Sequence, residues 1–117
     1  KPAQPTQPSH LAEPPTAVFA CNDLMAFGAI RAVFERGLSV PRDISVVGFD
    51  DIRLAAFFNP PLTTVAQPHR EMGVLAIRLL LERIADRNLP VRSPLLPTAL
   101  KLRSSTACVS ENEDRRR

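Results

Sequence analysis

The sequence contains no tryptophan and no tyrosine, only four glycines and two cysteines among 117 residues, and no apolar run long enough to span a membrane. Two of the aromatic residue types that stack on bases are therefore missing. The 15 basic residues leave a formal net charge of only +3 and form no continuous stripe. Both features argue against direct binding of DNA or RNA by these residues. The glycines match neither phosphate-binding motif, G-x-x-x-x-G-K or G-x-G-x-x-G.

The two cysteines, Cys21 and Cys108, lie far apart and belong to no C-x-x-C motif. We expect them to be free thiols in a reducing cytoplasm rather than a disulfide or a metal site. Neither His10 nor His69 has the sequence context of a catalytic triad, so the sequence predicts no enzyme active site and no cofactor. His69 is expected to be a solvated side chain. The residues after Lys1 do not have the pattern of a signal peptide, so we expect none there.

Composition divides the chain into three parts. Residues 1–15 contain five prolines among Gln, Thr and Ser, which is the composition of a linker. Residues 108–117 are mostly charged and have no apolar period. We expect both ends to be disordered and residues 16–107 to form one folded unit with a modest core.

A buried strand is predicted at Ile44–Asp51, because β-branched and aromatic residues form an almost continuous apolar run there. Before it, the pattern predicts a strand over residues 17–21 and a helix over residues 24–36 that ends at Gly37. A strand, a helix and a strand within about 35 residues form a right-handed βαβ unit. Its two strands run parallel, so their carboxyl ends meet at one edge of the sheet.

The later part of the chain continues the alternation of strands and helices. Residues 62–66 alternate as a third strand, and residues 69–87 have the apolar spacing of a helix whose stripe faces a core. Residues 93–96 and 98–103 are predicted to be two short strands, or one strand broken at Pro97. The predicted fold class is α/β, built on a partial doubly wound parallel sheet.

Polar residues follow each of the first three predicted strands. Asn22, Asp50 and Gln67 stand at separate strand exits, and open α/β sheets bind ligands at this carboxyl edge. Amide and carboxylate groups suit hydrogen bonds to the hydroxyls or ring nitrogens of a small polar ligand. Asp23 is placed either to cap the following helix or to join the ligand site. The acid pair Asp50 and Asp51 also allows a Mg²⁺ site, which keeps a small metal-dependent enzyme as an alternative.

Several stretches closely resemble the LacI/GalR family of bacterial transcription regulators, in order and with compatible spacing over residues 16–107. They are Ala-Cys-Asn-Asp-Leu-Met-Ala at 20–26, Val-Pro-Arg-Asp-Ile-Ser-Val-Val-Gly-Phe-Asp-Asp at 40–51, Pro-Pro-Leu-Thr-Thr-Val at 60–65, Gln-Pro at 67–68, Met-Gly at 72–73, Leu-Leu-Pro-Thr at 95–98 and Arg-Ser-Ser-Thr at 103–106. The combined string is far more specific than any one of these motifs.

The resemblance implies the C-terminal portion of a type I periplasmic-binding-protein-like domain. Such a domain binds a small effector, commonly a sugar or a nucleoside, between two lobes and thereby alters the operator affinity of an N-terminal helix-turn-helix. The resemblance implies effector contacts at Asn22, Asp50 and Gln67, the residues already selected. It also implies a homodimer interface that includes Phe27, Phe57 and Phe58, which we therefore expect to be exposed on one protomer.

The resemblance also implies what this chain does not supply. The helix-turn-helix, the hinge and the first lobe have no counterpart here, and the helix at 69–87 would belong to the other lobe. We therefore expect the C-terminal part of a cytoplasmic repressor, with operator DNA bound only by the missing N-terminal domain. Because strands and a helix lack partners, the isolated part is expected to be loosely folded or prone to aggregation. The alternative is a periplasmic sugar-binding protein of the same fold.

Overall fold

A computed structural model describes residues 15–109 of the chain. The predictions of disorder for residues 1–15 and 108–117 fall almost wholly outside this range. The described part contains four strands, two α-helices and one 3₁₀ helix. In chain order they are β1 (Ala17–Phe19), α1 (Asp23–Glu35), β2 (Ser45–Asp50), the 3₁₀ helix (Arg53–Ala56), β3 (Thr63–Ala66), α2 (His69–Ala85) and β4 (Ala99–Lys101).

Helix α1 begins and ends at residues suited to those positions. The side-chain oxygen of Asn22 accepts a hydrogen bond from the Met25 amide at 2.8 Å, which makes Asn22 the N-cap. The prediction that Asp23 caps this helix is wrong, because Asp23 is already its first residue. Gly37 follows the last turn at a φ of +72°, and its amide donates to the Phe34 carbonyl at 2.9 Å, as predicted for a glycine at C′.

The sheet has the strand order β1-β2-β3-β4. β1 and β2 are parallel, as the predicted βαβ unit requires. β2 and β3 are also parallel, with Val47 opposite Thr63 and Asp50 opposite Ala66. β4 adds an antiparallel edge, with Ala99 opposite Ala66. The α/β class with a predominantly parallel, partial sheet is thus confirmed.

The core lies between α1 and one face of the sheet. α1 contributes Phe27, Ile30 and Val33, which recur at helical spacing. Val46 on β2 and Leu62 just before β3 meet them from the sheet side. Because β1 and β2 are paired neighbours in the sheet, their exits are held at a fixed separation.

Two predictions about packing and strands are wrong for the described residues. α2 forms as predicted, but none of its residues is buried, so its apolar stripe is not core here. Residues 93–96 form no strand, and β4 occupies only three residues of the predicted 98–103. Pro94 and Pro97 explain why residues 93–96 form no strand, since proline has no backbone N–H to donate to a strand ladder. Within residues 15–109, no helix combines the length and the apolar character needed to cross a membrane.

Candidate functional site

The carboxyl edge of the sheet brings Asp50 and Gln67 into direct contact. Asp50 ends β2, and Gln67 follows β3 one residue beyond Ala66, the partner of Asp50 across the ladder. The Gln67 side-chain N–H donates to Asp50 Oδ1 at 2.6 Å. This charge-assisted bond fixes the carboxylate, and among the described residues nothing donates to its other oxygen, Oδ2. One acceptor of Asp50 is thus left for a ligand.

The backbone at this edge adopts a conformation that few non-glycine residues take. Asp50 has a φ of +118° and Asp51 a φ of +56°. Two consecutive L-residues at positive φ are strained, and such strain persists only where surrounding contacts over-determine the conformation. The turn directs the two neighbouring carboxylates to different partners.

Asn22 lies at the same edge, but it is not hydrogen-bonded to Asp50 or Gln67 in the part of the chain that the structure describes. Its oxygen is occupied as the cap of α1, which leaves its N–H₂ group as a donor. With Asp50 Oδ2 and Gln67 Oε1 as acceptors, the edge offers both a donor and acceptors. A vicinal diol or a ribose-like ring matches this combination, because each hydroxyl can donate and accept.

Asp23 belongs to a buried network beneath the site. Its side chain is fully buried and accepts from the Thr64 hydroxyl at 2.5 Å and from the Ile52 amide at 2.8 Å. Its charge lies at the N-terminus of α1, where the helix dipole favours an anion. A Cβ on Gly48 would collide with this carboxylate, so glycine is required for Asp23 to approach β2. Asp23 therefore ties α1, β3 and the turn after Asp50 together rather than facing a ligand.

Asp51 pairs with Arg103, which lies beyond β4. The guanidinium donates to Asp51 Oδ1 at 2.7 Å and to the Leu62 carbonyl at 2.8 Å. Within the described residues, no group of three or more His, Cys, Asp or Glu side chains could hold a metal ion. Asp50 is held by Gln67 and Asp51 by Arg103, so the two neighbouring carboxylates have different partners.

His69 is exposed, as expected, but the sequence-based reasoning assigned no contact at this edge to His69 or to Arg103. The His69 Nε2 atom lies 2.9 Å from the Asp50 carbonyl oxygen, and since a carbonyl can only accept, this bond needs the proton on Nε2. His69 follows Gln67 by two residues at the start of α2, so its position after a strand exit was an available signal. Nothing local to Arg103 indicated a partner 52 residues earlier in the chain.

The three phenylalanines assigned to a dimer interface have different environments. Phe57 is 75% exposed, but Phe27 is only 8% exposed and Phe58 is partly buried against the core, so the expectation that these two are exposed is wrong. The Phe27 ring stacks on the half-buried Phe58 ring, with centroids 4.1 Å apart. This pair joins α1 to the chain after the 3₁₀ helix and leaves Phe57 facing outward. Cys21 and Cys108 are exposed free thiols, as predicted.

Comparison with known proteins gives one family match. Residues 3–106 match the periplasmic binding protein-like domain. The HTH-type transcriptional repressor PurR of Histophilus somni is 58% identical over 73 residues, which cover 62% of this chain and 22% of that protein. The chain thus spans about a fifth of the length of this curated relative.

Two solved structures have the same fold over most of the chain. A LacI family transcriptional regulator from Enterococcus faecium with bound ribose matches with a TM-score of 0.73 and 41% identity, covering 81% of this chain and 35% of that one. The lac repressor dimer bound to operator and the anti-inducer ONPF also matches with a TM-score of 0.73 and 41% identity, covering 80% of this chain and 32% of that one.

Proposed function

The chain belongs to the periplasmic binding protein-like domain family, and on that premise we propose that it is the effector-sensing and dimerisation portion of a LacI/GalR-type transcriptional repressor. The related proteins named above are transcriptional regulators. In this proposal the chain senses a ligand without catalysing a reaction. The complete protein acts in the cytoplasm and binds operator DNA through a separate N-terminal domain.

The observation that carries the proposal is the fixed Asp50 carboxylate. Gln67 holds one of its oxygens at 2.6 Å and leaves the other available, at the edge of the sheet where α/β proteins bind ligands. Asn22 adds a free amide donor at the same edge. A small polar effector of the sugar or nucleoside class fits these groups, and the bound ribose of the E. faecium regulator supports that class.

The proposed dimer rests on the exposed apolar side chains near the stacked phenylalanine pair. Phe57 and Leu54 are 75% and 50% exposed, and the Phe57 amide donates to the Leu54 carbonyl, so the two residues are neighbours. Neighbouring exposed apolar groups can form part of a protein–protein contact. The lac repressor structure to which the chain is similar is a dimer, which supports the same arrangement here.

Asp50→Asn tests the effector site. We expect binding of D-ribose or adenosine, whichever the wild-type gene product binds, to weaken about 10- to 100-fold, because a hydrogen bond to a charged group contributes roughly 1.5–3 kcal/mol. Isothermal titration calorimetry measures the change. Asp86→Asn is the matched control, since Asp86 is an exposed carboxylate at the end of α2. The affinity of this variant for the ligand should equal that of wild type. Equal affinities of Asp50→Asn and wild type would remove Asp50 from the site.

A further inference from the structure

We propose that Arg103 is a positioning residue for the candidate effector site. It holds the turn at Asp50 and Asp51 in the conformation that presents the Asp50 carboxylate to a ligand. Arg103 itself does not touch Asp50 among the described contacts; its side chain reaches the neighbouring residue, Asp51. The inference rests on the proposed function only in taking Asp50 as a ligand contact. The geometric part can be tested without any ligand.

The need for a positioning residue comes from the backbone. Asp50 and Asp51 have φ values of +118° and +56°, which residues other than glycine rarely adopt. Left to local preferences, this stretch would relax and move the Asp50 carboxylate away from Gln67. The contacts that oppose relaxation are therefore part of the site, even where they lie outside hydrogen-bonding range of a ligand.

Arg103 makes three bonds that link separate parts of the fold. One guanidinium nitrogen donates to Asp51 Oδ1 at 2.7 Å, and the other terminal nitrogen donates to the Leu62 carbonyl at 2.8 Å. The Arg103 backbone amide donates to Thr63 Oγ1 at 2.9 Å. Because the guanidinium is planar and rigid, two simultaneous bonds fix both its place and its orientation. Asp51 is thus fastened to the start of β3.

The ion pair between Arg103 and Asp51 is more buried than the surface ion pair between Arg31 and Glu35. The side chains of Arg103 and Asp51 are 20% and 21% exposed, whereas those of Arg31 and Glu35 are 80% and 62% exposed. A pair with little solvent contact is screened less by water and salt. Removing one partner leaves the other charge partly buried and unpaired, which is unfavourable. We therefore expect the turn to rearrange.

Contacts from several different elements hold the turn at Asp50 and Asp51 in place. Gln67 and His69 bind Asp50 from the end of β3 and the start of α2, and Asp23 binds the Ile52 amide from α1. Arg103 supplies the link from the segment after β4. Arg103 binds Asp51, which lies 52 positions earlier in the chain. The segment that follows the last strand therefore sets the geometry of Asp50, the neighbour of Asp51 and the proposed ligand contact.

The test compares Arg103→Gln, Arg103→Lys and Asp51→Asn with wild type in the full chain. Arg31→Gln is the control, because it removes an arginine from an exposed ion pair on α1. Three quantities are measured: the Kd for D-ribose, the NMR signal of the Gln67 side-chain amide, and the urea midpoint of unfolding. The Gln67 signal reports its bond to Asp50 directly and requires no ligand.

Arg103→Gln is expected to weaken D-ribose binding about tenfold and to move the Gln67 amide signal toward that of a solvated glutamine. Asp51→Asn should do the same, and Arg103→Lys should lie between, since lysine keeps the charge but cannot make both bonds. Arg31→Gln should leave both readouts unchanged. If Arg103→Gln does not fold, the Lys and Asn variants decide the matter by the same two readouts.

A purely structural role for Arg103 predicts a different pattern. The urea midpoint would fall, while the folded variants would keep the wild-type Kd and the wild-type Gln67 signal, and that result would overturn the proposal. If wild type does not bind D-ribose, the Kd is measured with adenosine, and binding of neither probe would contradict the effector class of the proposed function instead. The Gln67 signal in Arg103→Gln then still decides whether Arg103 positions the turn.

Discussion

At the scale of single residues, the adjacent acids Asp50 and Asp51 have separate roles. Asp50 binds Gln67 through one oxygen, and its other oxygen has no donor among the described residues, whereas Asp51 binds Arg103. The sequence placed both acids at a strand exit, which is where the structure has them. It could not assign the partners, because the positive φ values that point the two side chains apart depend on tertiary contacts.

Asn22 takes the capping role that the sequence favoured for Asp23, and Asp23 has a buried structural role that the sequence did not predict. Either side chain is chemically able to cap α1. The structure uses Asn22 as the cap and buries Asp23 between Thr64 and Ile52. A shift of one residue in the start of a helix lies beyond what local propensities resolve. The space for Asp23 depends on Gly48, which is distant in sequence.

Gly48→Ala tests this packing. The added methyl would overlap the Asp23 carboxylate and the Leu62 side chain, so we expect it to lower the free energy of unfolding by about 1–3 kcal/mol. Urea denaturation followed by circular dichroism measures the change. Gly28→Ala is the matched control, since a Cβ there meets nothing within 4 Å and lies on α1.

The control should move stability in the opposite direction. Alanine is a better helix former than glycine, so Gly28→Ala should raise the free energy of unfolding by up to about 1 kcal/mol. Equal effects of the two substitutions would contradict the close approach of Asp23 to Gly48.

At the scale of elements, the sequence predicted which helices and parallel strands form but not what each one packs against. α1 was recognised from its apolar spacing and Gly37, and the structure confirms both. α2 has an equally regular stripe, yet none of its residues is buried. Periodicity shows that a helix has an apolar face. It does not show that a partner for that face lies within the same stretch of chain.

The strands near the carboxyl end were harder to predict because they are short and interrupted by proline. β4 covers Ala99–Lys101 and pairs antiparallel with β3. Alternation over so few residues carries little information about direction or partner. The polar segment that follows, with Ser105 donating to the Val46 carbonyl at 2.6 Å, was recognised only through the family resemblance.

The 3₁₀ helix and the residue after it present the apolar side chains that we assign to the dimer. Phe57→Ser should weaken self-association of the chain about tenfold or more, because a phenylalanine ring removed from an interface gives up roughly 1.5–3 kcal/mol of apolar burial. Sedimentation velocity over a concentration series measures this. Val91→Ser is the control, as Val91 is 79% exposed on the loop after α2. A larger effect of Val91→Ser would place the contact elsewhere.

At the scale of the whole molecule, the described residues leave many large apolar side chains exposed. α1 covers one face of a four-stranded sheet, and α2 exposes apolar residues that include Ile77, Leu81 and Ile84. In the comparison with the ribose-bound regulator, the chain covers 35% of that protein. The parallel sheet and the position of its carboxyl edge were predictable because βαβ handedness is nearly invariant. The contacts made by Arg103 were not, because they join distant parts of the sequence.

The most direct measurement of the central claim is an NMR titration of the gene product that carries this chain with D-ribose and with adenosine, following the side-chain amide signals. We predict that saturation with the bound probe shifts the signals of Gln67 and Asn22 and leaves that of Asn88, beyond the end of α2, in place. Saturable binding that moves Asn88 but neither Gln67 nor Asn22 would contradict an effector site at this edge of the sheet.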